Sequence, residues 1–248
     1  YPYLPVLDDI LENADVESQL PMGLVEIPLD QVVGTKTAGR TAAFASNFMP
    51  LLGIDTEFAA KWINLCNAHL EEGIRDPIRC YEYLGRLYVQ AGNKRVSVLK
   101  YFDADSISAN VTRIVPRYAD RPQIRSYYEF MDFYALSGIY YMMLTQEGGY
   151  ARLQAAMGKK PGEKWSDDDR SDMRSLYNWV KKAYQARGAD RMHLTAGDVM
   201  LVLLRVYGFR ELREKTPAEI AKCLGAVWDD VLALERPDSV KLSTKPAE

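Results

Sequence analysis

A glycine, an amide and two basic side chains follow one another at a predicted strand-to-helix junction, Gly92-Asn93-Lys94-Arg95. Glycine allows close approach to the backbone, and the first free N–H groups of a helix attract anions. Lys94 and Arg95 add positive charge at the same end, which opposes the helix dipole and costs up to about 1 kcal/mol in the absence of an anion. The segment therefore predicts a phosphate-binding site. An ordinary strand-to-helix turn with Arg95 in a salt bridge explains the same residues, and both interpretations stay open.

The elements predicted around this segment are a hairpin, a helix and a further strand. Residues 78–83 and 87–91 have the composition of two strands, joined by a tight turn at Gly85. The apolar pattern from Lys94 onwards fits a helix, and residues 107–114 have the β-branched neighbours typical of a strand. The glycine and the basic side chains are thus expected where the second hairpin strand meets the helix.

Upstream of the hairpin the sequence predicts mainly short elements. A helix is indicated over residues 56–72, with Thr56 as its cap. The acidic opening segment is expected to form a short helix that ends before Pro21. Residues 25–29 are typical of a short strand, and the Gly/Thr-rich residues 33–40 of a loop.

Beyond Pro122 the chain is predicted to be mainly helical. Residues 195–207 form an apolar helical pattern, and Thr216 with Glu219 forms a capping box for a helix that extends to about Leu234. This pair resembles a helix-turn-helix, but its joint is longer than the usual turn and its second helix has only Lys222 as a basic residue. We therefore expect a structural or oligomerising element and not a DNA-reading one.

Charge is distributed unevenly along a chain whose formal net charge is −3. Residues 1–30 hold seven acidic and no basic side chains, whereas residues 75–125 hold ten basic and five acidic ones. The small net charge excludes a protein that coats nucleic acid indiscriminately. The positive segment indicates an anion site for nucleotide phosphates or a nucleic-acid backbone. Solvated surface charges, some of them paired with the acidic opening segment, explain it equally well.

The remaining composition excludes several other classes of protein. No run reaches the roughly 18 apolar residues of a membrane-spanning helix, so no membrane association is expected. Three widely spaced cysteines are typical of a reducing compartment and favour a cytoplasmic location. His69 and His193 have no second ligand at metal-binding spacing, so no protein-held metal site is predicted.

The order of motifs between Trp62 and Pro116 resembles the N-terminal domain of ParB chromosome-partitioning proteins and the wider ParB/sulfiredoxin superfamily. The matching elements are the helix that ends at Glu71-Glu72-Gly73-Ile74, the segment Arg75-Asp76-Pro77-Ile78 that enters a strand, the Tyr88-Val89 strand, Gly92-Asn93-Lys94-Arg95-Val96-Ser97-Val98, and Ile107-Ser108-Ala109-Asn110-Val111. The resemblance implies an α+β protein, in which a small mixed-sheet ParB/sulfiredoxin-like domain is followed by a mainly α-helical domain. We expect an acidic N-terminal arm over 1–19, the ParB/sulfiredoxin-like domain over 20–118, the helical domain over 119–235 and a flexible tail over 236–248.

The resemblance also implies a nucleotide pocket in which this loop contacts the phosphates of CTP or ATP, with Mg²⁺. Gly92 would supply backbone clearance, and Lys94 and Arg95 would contact phosphate. Asn93 stands where sulfiredoxins have a catalytic cysteine, so sulfinic-acid reductase chemistry is not expected. The full set of expected binding residues is Gly92, Asn93, Lys94, Arg95, Arg75, Asp76 and Arg40, and no catalytic residue is assigned.

Residues 35–50 form a connection longer than is usual in the family. Lys36 and Arg40 could close over the same ligand. Alternatively, the segment is an ordered surface loop, and for its apolar residues Phe44, Phe48 and Met49 we favour burial in the core.

Three functions remain open from the sequence. The first is a ParB-like protein that binds a nucleotide or another phosphate ligand. The second is a DNA-associated regulator of transcription or partition, in which residues 75–125 contact the DNA backbone. A homo-oligomer is among the expected states of such a protein. The third is an enzyme of the same superfamily, a nuclease or a phosphotransferase, with Asp76 as a metal-binding carboxylate.

Overall fold

The computed structural model describes residues 3–188 and 192–235, so the predicted tail over 236–248 lies outside the described residues. The chain divides into two compact units, Tyr1–Ala119 and Asp120–Glu248. The first unit contains a five-stranded mixed sheet with flanking helices, and the described part of the second is helical. The α+β class predicted from the sequence is confirmed. Within the described residues, no helix is both long and apolar enough to cross a membrane.

The first unit is built on a sheet with the strand order β1-β5-β3-β4-β2. Its strands are β1 (Val16–Pro28), β2 (Val32–Thr35), β3 (Ile78–Tyr83), β4 (Arg86–Ala91) and β5 (Ser106–Pro116). Its helices are α1 (Leu7–Leu11), α2 (Glu57–Glu72) and α3 (Asn93–Tyr101), with 3₁₀ turns at Leu29–Gln31 and Ala38–Ala43. β5 pairs antiparallel with β1 and parallel with β3, while β4 pairs antiparallel with β3 and parallel with β2.

The β3–β4 hairpin and helix α2 form as the sequence predicts. Leu84 and Gly85 have φ angles of 50° and 76°, the left-handed geometry of a tight hairpin turn. The carboxylate of Glu82 accepts a hydrogen bond from the Gly85 N–H at 2.6 Å, which holds the turn. At the start of α2 the Thr56 hydroxyl accepts a hydrogen bond from the Ala59 N–H at 3.2 Å, so the predicted cap is confirmed.

Both faces of the sheet are covered. One face packs beneath α3 and a loop, with Ile78, Val89 and Val96 in one buried cluster. The loop contributes Phe44 and Phe48, which are 1% and 0% exposed, as expected, while Met49 is only half-buried. The opposite face packs against α1 through a smaller cluster of Leu7, Tyr83, Tyr88 and Ile114.

The N-terminal segment differs from the sequence-based expectation. The predicted helix is only the five residues of α1, and β1 begins at Val16 and continues through Pro21. Proline fits because β1 is an edge strand and the ladder shifts register between Pro21 and Gly23, so the absent N–H breaks no ladder bond. Within the expected arm over 1–19, Leu4 and Leu7 are buried in the core of the first unit.

The predicted loop over 33–40 also contains regular structure. β2 continues to Thr35, whose N–H donates to the Pro5 carbonyl at 2.9 Å. Its hydroxyl donates to the Val89 carbonyl at 3.2 Å. The N-terminal segment therefore lies along the outer side of β2, and the contact explains why a Gly/Thr-rich sequence is a strand here.

The second unit consists of helices with well-formed caps. Its helices are α4 (Pro122–Ser137), α5 (Gly149–Ala156), α6 (Asp167–Gln185), α7 (Ala196–Tyr207), α8 (Phe209–Arg213), α9 (Pro217–Ala226) and α10 (Trp228–Glu235). Capping boxes at Ser166, Thr195 and Thr216 start α6, α7 and α9. The long joint noted in the sequence between residues 207 and 216 contains α8.

The prediction of a single helix from Thr216 to about Leu234 is wrong. The helical segment is interrupted at Val227, where φ and ψ are −103° and 14°. Trp228 then packs against Tyr184, with ring centroids 6.2 Å apart, and beneath the Arg187 guanidinium at 5.1 Å. Packing against residues distant in sequence therefore stabilises a bend that the local pattern does not predict.

The buried ion pair between β3 and β5 provides a test of this fold. Arg113 Nε donates to Glu82 Oε2 at 2.5 Å, and both side chains are less than 10% exposed. We expect Arg113→Ala to lower the free energy of unfolding by about 3–5 kcal/mol, because the Glu82 carboxylate stays buried without its counter-charge. Chemical denaturation measures the change.

The control for this prediction is Lys61→Ala, which removes the exposed Glu57–Lys61 pair. This substitution should lower the free energy of unfolding by no more than about 1 kcal/mol. Equal losses for the two variants would show that the buried pair does not stabilise the sheet.

Candidate functional site

The directions of the strands bring three segments of the sequence to one edge of the sheet. β2 and β4 run parallel, so the residues that follow Thr35 and Ala91 leave the sheet on the same side. β3 runs antiparallel to β4, so the residues that precede Ile78 lie there as well. We call these segments, residues 36–40, 75–77 and 92–95, the basic edge.

Gly92 is the N-cap of α3 and adopts a left-handed conformation with φ 111° and ψ 17°. A Cβ at this position would lie 2.4 Å from Cγ2 of Ile78. The glycine is thus required by the close packing of the β4–α3 turn on the start of β3. The sequence interpretation attributed the glycine to clearance for a ligand. The contact with Ile78 is by itself sufficient to explain a glycine at this position.

The N-terminus of α3 has no side-chain cap and no acidic residue in its first turn. The amide N–H groups of the first turn have no acceptor within a helix. Lys94 and Arg95 occupy this turn, whereas α2, α6, α7 and α9 each have a Ser or Thr cap and an acidic first turn. An uncapped N-terminus and positive charge therefore coincide at the start of α3, as they also do at the start of α4, where Arg121 is the N-cap.

Asn93 begins α3 and is only 7% exposed. Within the described structure its side-chain Oδ1 is buried without a hydrogen-bond partner. A buried polar atom of this kind costs about 1–3 kcal/mol, so it is a position at which an added hydrogen-bond donor gains free energy. No sequence pattern predicts an unpaired acceptor at this position.

Among the described residues, no carboxylate forms with Arg95 the salt bridge that the alternative interpretation predicted. Arg95 Nη1 donates to the carbonyl oxygens of Pro77 at 2.7 Å and Asp76 at 3.3 Å. The guanidinium thus fixes the segment before β3 to the first turn of α3. Because arginine carries five N–H donors, these two contacts do not exhaust its capacity.

Lys94 lies beside α2. Its Nζ is 4.3 Å from the centroid of the Phe58 ring. The pKa of the neighbouring Glu57 lies below its ordinary value, mainly through its hydrogen bond to Lys61, with a smaller contribution from the Lys94 charge. The first turns of α2 and α3 are therefore close enough for their charges to interact.

The other expected binding residues are placed as follows. Arg75 and Asp76 are exposed at the basic edge. Arg40 lies in the 3₁₀ turn that follows β2, and its side chain is outside the described part of the chain. Lys36 pairs with Asp8 at 2.7 Å and lies 5.3 Å from the Tyr81 ring centroid, so the acidic opening segment already engages it.

The positive charge of residues 75–125 does not form one surface. Arg113 is in the buried pair with Glu82, and Arg117 lies 3.5 Å from Glu17. Burial lowers the pKa of Lys100, although the Asp30 carboxylate acts in the opposite direction. Arg125 belongs to the second unit, where it pairs with Asp120 and Glu147. Of the ten basic residues, Arg75, Arg79, Lys94 and Arg95 are at or beside the basic edge.

In the described part of the chain, no three His, Cys, Asp or Glu residues are grouped so that they could hold a metal ion. A divalent cation at the basic edge would therefore need ligands from a bound phosphate in addition to a single carboxylate such as Asp76. This arrangement is common for Mg²⁺, which retains water and phosphate ligands.

Comparison with known proteins finds a likeness to solved structures. No protein-family model and no curated protein matches the chain. Among solved structures, the chain is similar to the crystal structure of sulfiredoxin from Arabidopsis thaliana, with 19% identity and a TM-score of 0.25. The match covers 36% of this chain and 82% of that chain. We therefore base the functional proposal on the residues of this chain.

The contact between Gly92 and Ile78 predicts the effect of a single methyl group. We expect Gly92→Ala to lower the free energy of unfolding by about 3 kcal/mol, because strain at a positive φ adds to overpacking against Ile78. Chemical denaturation of the full chain measures the loss.

Gly148→Ala is the matched control. Gly148 is also a left-handed N-cap, with φ 68°, but no atom lies within 4 Å of a Cβ built there. Its substitution should lower the free energy of unfolding by only about 1–2 kcal/mol, the strain of a left-handed backbone at a residue with a Cβ. Losses of the same size at both positions would contradict the steric role of Ile78.

Proposed function

We propose that this chain is a ParB-like protein that binds a nucleotide, or another phosphate-bearing ligand, at the basic edge. One observation carries the proposal: the first turn of α3 has two basic side chains and neither a side-chain cap nor an acidic residue. An anion at this position would satisfy the amides and remove the unfavourable interaction of Lys94 and Arg95 with the helix dipole.

The proposal gives each residue of the edge a role. The α3 amides and the Lys94 ammonium contact phosphate oxygens, and the remaining donors of Arg95 add to them. Gly92 keeps the turn close to β3. Asp76 is an exposed carboxylate of this edge that pairs with no described basic side chain, so it is the residue that would share Mg²⁺ with the phosphates.

The unpaired Oδ1 of Asn93 supports a nucleotide over bare phosphate. This oxygen can only accept hydrogen bonds, while phosphate oxygens are themselves mainly acceptors. A nucleotide also carries ribose hydroxyls and, in CTP and ATP, an exocyclic amino group that can donate. The residues of the edge thus offer complementary groups to both parts of CTP or ATP.

A DNA-associated role would use the same edge and not the helical pair of the second unit. Lys222 is the one basic residue of α9, and it is accompanied by Glu219. A helix that reads DNA normally presents several basic side chains to the phosphates. The enzymatic alternative, a nuclease or phosphotransferase, depends on Asp76 alone, and it therefore has less support than ligand binding.

Calorimetric titration of the full chain tests the proposal. With Mg²⁺ present, CTP or ATP should bind more tightly than orthophosphate. Lys94→Ala should weaken nucleotide binding at least about tenfold, because it removes a charge-assisted contact. The matched control is Arg86→Ala, an exposed residue of the same positive segment at the other end of β4, which should leave binding unchanged.

Failure of every nucleotide to bind, or equal losses for the two variants, would contradict the proposal. Short duplex DNA in the same titration tests the DNA-associated role. Binding through phosphates should weaken with salt with a logarithmic slope of about −0.9 for each contact, and a flat dependence rejects that role. Mg²⁺-dependent turnover that is lost in Asp76→Ala would instead favour an enzyme.

A further inference from the structure

The second unit has a partly open cavity of about 310 Å³ between α5 and α7. Its wall is largely apolar, and it is formed by Ala155 and Ala156 of α5, Leu201 and Val202 of α7, and Leu234 of α10. Two small residues of α5 thus line the cavity together with two branched residues of α7. The volume is at the lower end of the range of small-molecule sites, about 300–1,000 Å³.

Two arginines line the same cavity. Arg152 is an exposed residue of α5, and among the described residues no carboxylate lies within salt-bridge distance of it. Arg205 of α7 pairs with Asp230 at 3.0 Å and is 64% exposed. The cavity therefore combines an apolar interior with a guanidinium that lacks a carboxylate partner.

The one acidic residue in the cavity wall, Asp198, has a structural role. It is 1% exposed, and its carboxylate accepts hydrogen bonds from the N–H of Thr145 at 2.8 Å and the N–H of Thr195 at 2.9 Å. The Thr145 hydroxyl also donates to it at 2.9 Å, while the Thr195 hydroxyl donates to the Met143 carbonyl at 2.5 Å. Because these donors satisfy Asp198 and Asp230 pairs with Arg205, the charge that remains for a ligand is the positive charge of Arg152.

We propose that this cavity binds a small amphipathic carboxylate, whose chain lies against Ala155, Ala156 and Leu201 and whose carboxylate pairs with Arg152. Since a water molecule takes roughly 30 Å³ of liquid, the cavity accommodates roughly ten non-hydrogen atoms. A chain of six to eight carbons with a terminal carboxylate meets this limit. The inference is independent of the nucleotide proposal, because it rests on residues of the second unit alone.

Titration of the full chain with octanoate, hexanoate and octylamine tests this inference without any substitution. Octanoate should bind saturably. Hexanoate should bind about fifteenfold more weakly, since each buried methylene contributes about fourfold in affinity. Octylamine has the same chain and the opposite charge, so it should not bind. Absence of saturable octanoate binding, or equal binding of octanoate and octylamine, overturns the proposal.

Variants then locate the site. Arg152→Ala should weaken octanoate binding at least about tenfold through loss of a charge-assisted contact. Ala156→Trp should abolish it by filling the cavity. Arg210→Ala, an exposed arginine of α8 that does not line the cavity, is the control and should bind as the unchanged chain does. Unchanged affinity in Arg152→Ala, with circular dichroism showing intact helices, overturns the assignment.

Discussion

The close contact between the Gly92 backbone and the Ile78 side chain is the constraint on which the basic edge depends. A Cβ would lie 2.4 Å from Cγ2 of Ile78, so the β4–α3 turn can approach the start of β3 only because residue 92 is glycine. The same approach brings the Arg95 guanidinium within 2.7 Å of the Pro77 carbonyl. One steric condition thus fixes the position of the α3 N-terminus relative to Arg75 and Asp76.

The electrostatics of the first unit separate charges that are needed for folding from charges that remain at the edge. Glu82 and Arg113 neutralise each other in the sheet, and Lys36 and Arg117 pair with the acidic opening segment through Asp8 and Glu17. The net charge of −3 is therefore a sum over local pairs, which gives little information about any one surface. At the start of α3, Lys94 and Arg95 instead lie where positive charge opposes the helix dipole.

In the second unit, local hydrogen bonds set where three of the helices begin. Its helices α6, α7 and α9 begin at capping boxes, each made by residues within four positions of one another. Such short-range hydrogen bonds fix where a helix begins, but they do not fix how helices pack. The cavity between α5 and α7 arises from that packing, because alanines of α5 leave space that the side chains of α7 do not fill.

The sequence by itself determined the features that depend on near neighbours in the chain. These are the β3–β4 hairpin, the cap of α2 at Thr56 and the junction at Gly92. The α+β class followed from the resemblance of the motif order, and the burial of Phe44 and Phe48 from their apolar character. Tertiary structure decided the passage of β1 through Pro21, the bend at Val227, the carbonyl partners of Arg95, the unpaired Oδ1 of Asn93 and the pairing of Arg113 with Glu82. Local propensity and capping act over a few residues, whereas an edge position, a cross-strand partner or a cavity exists only when distant segments meet.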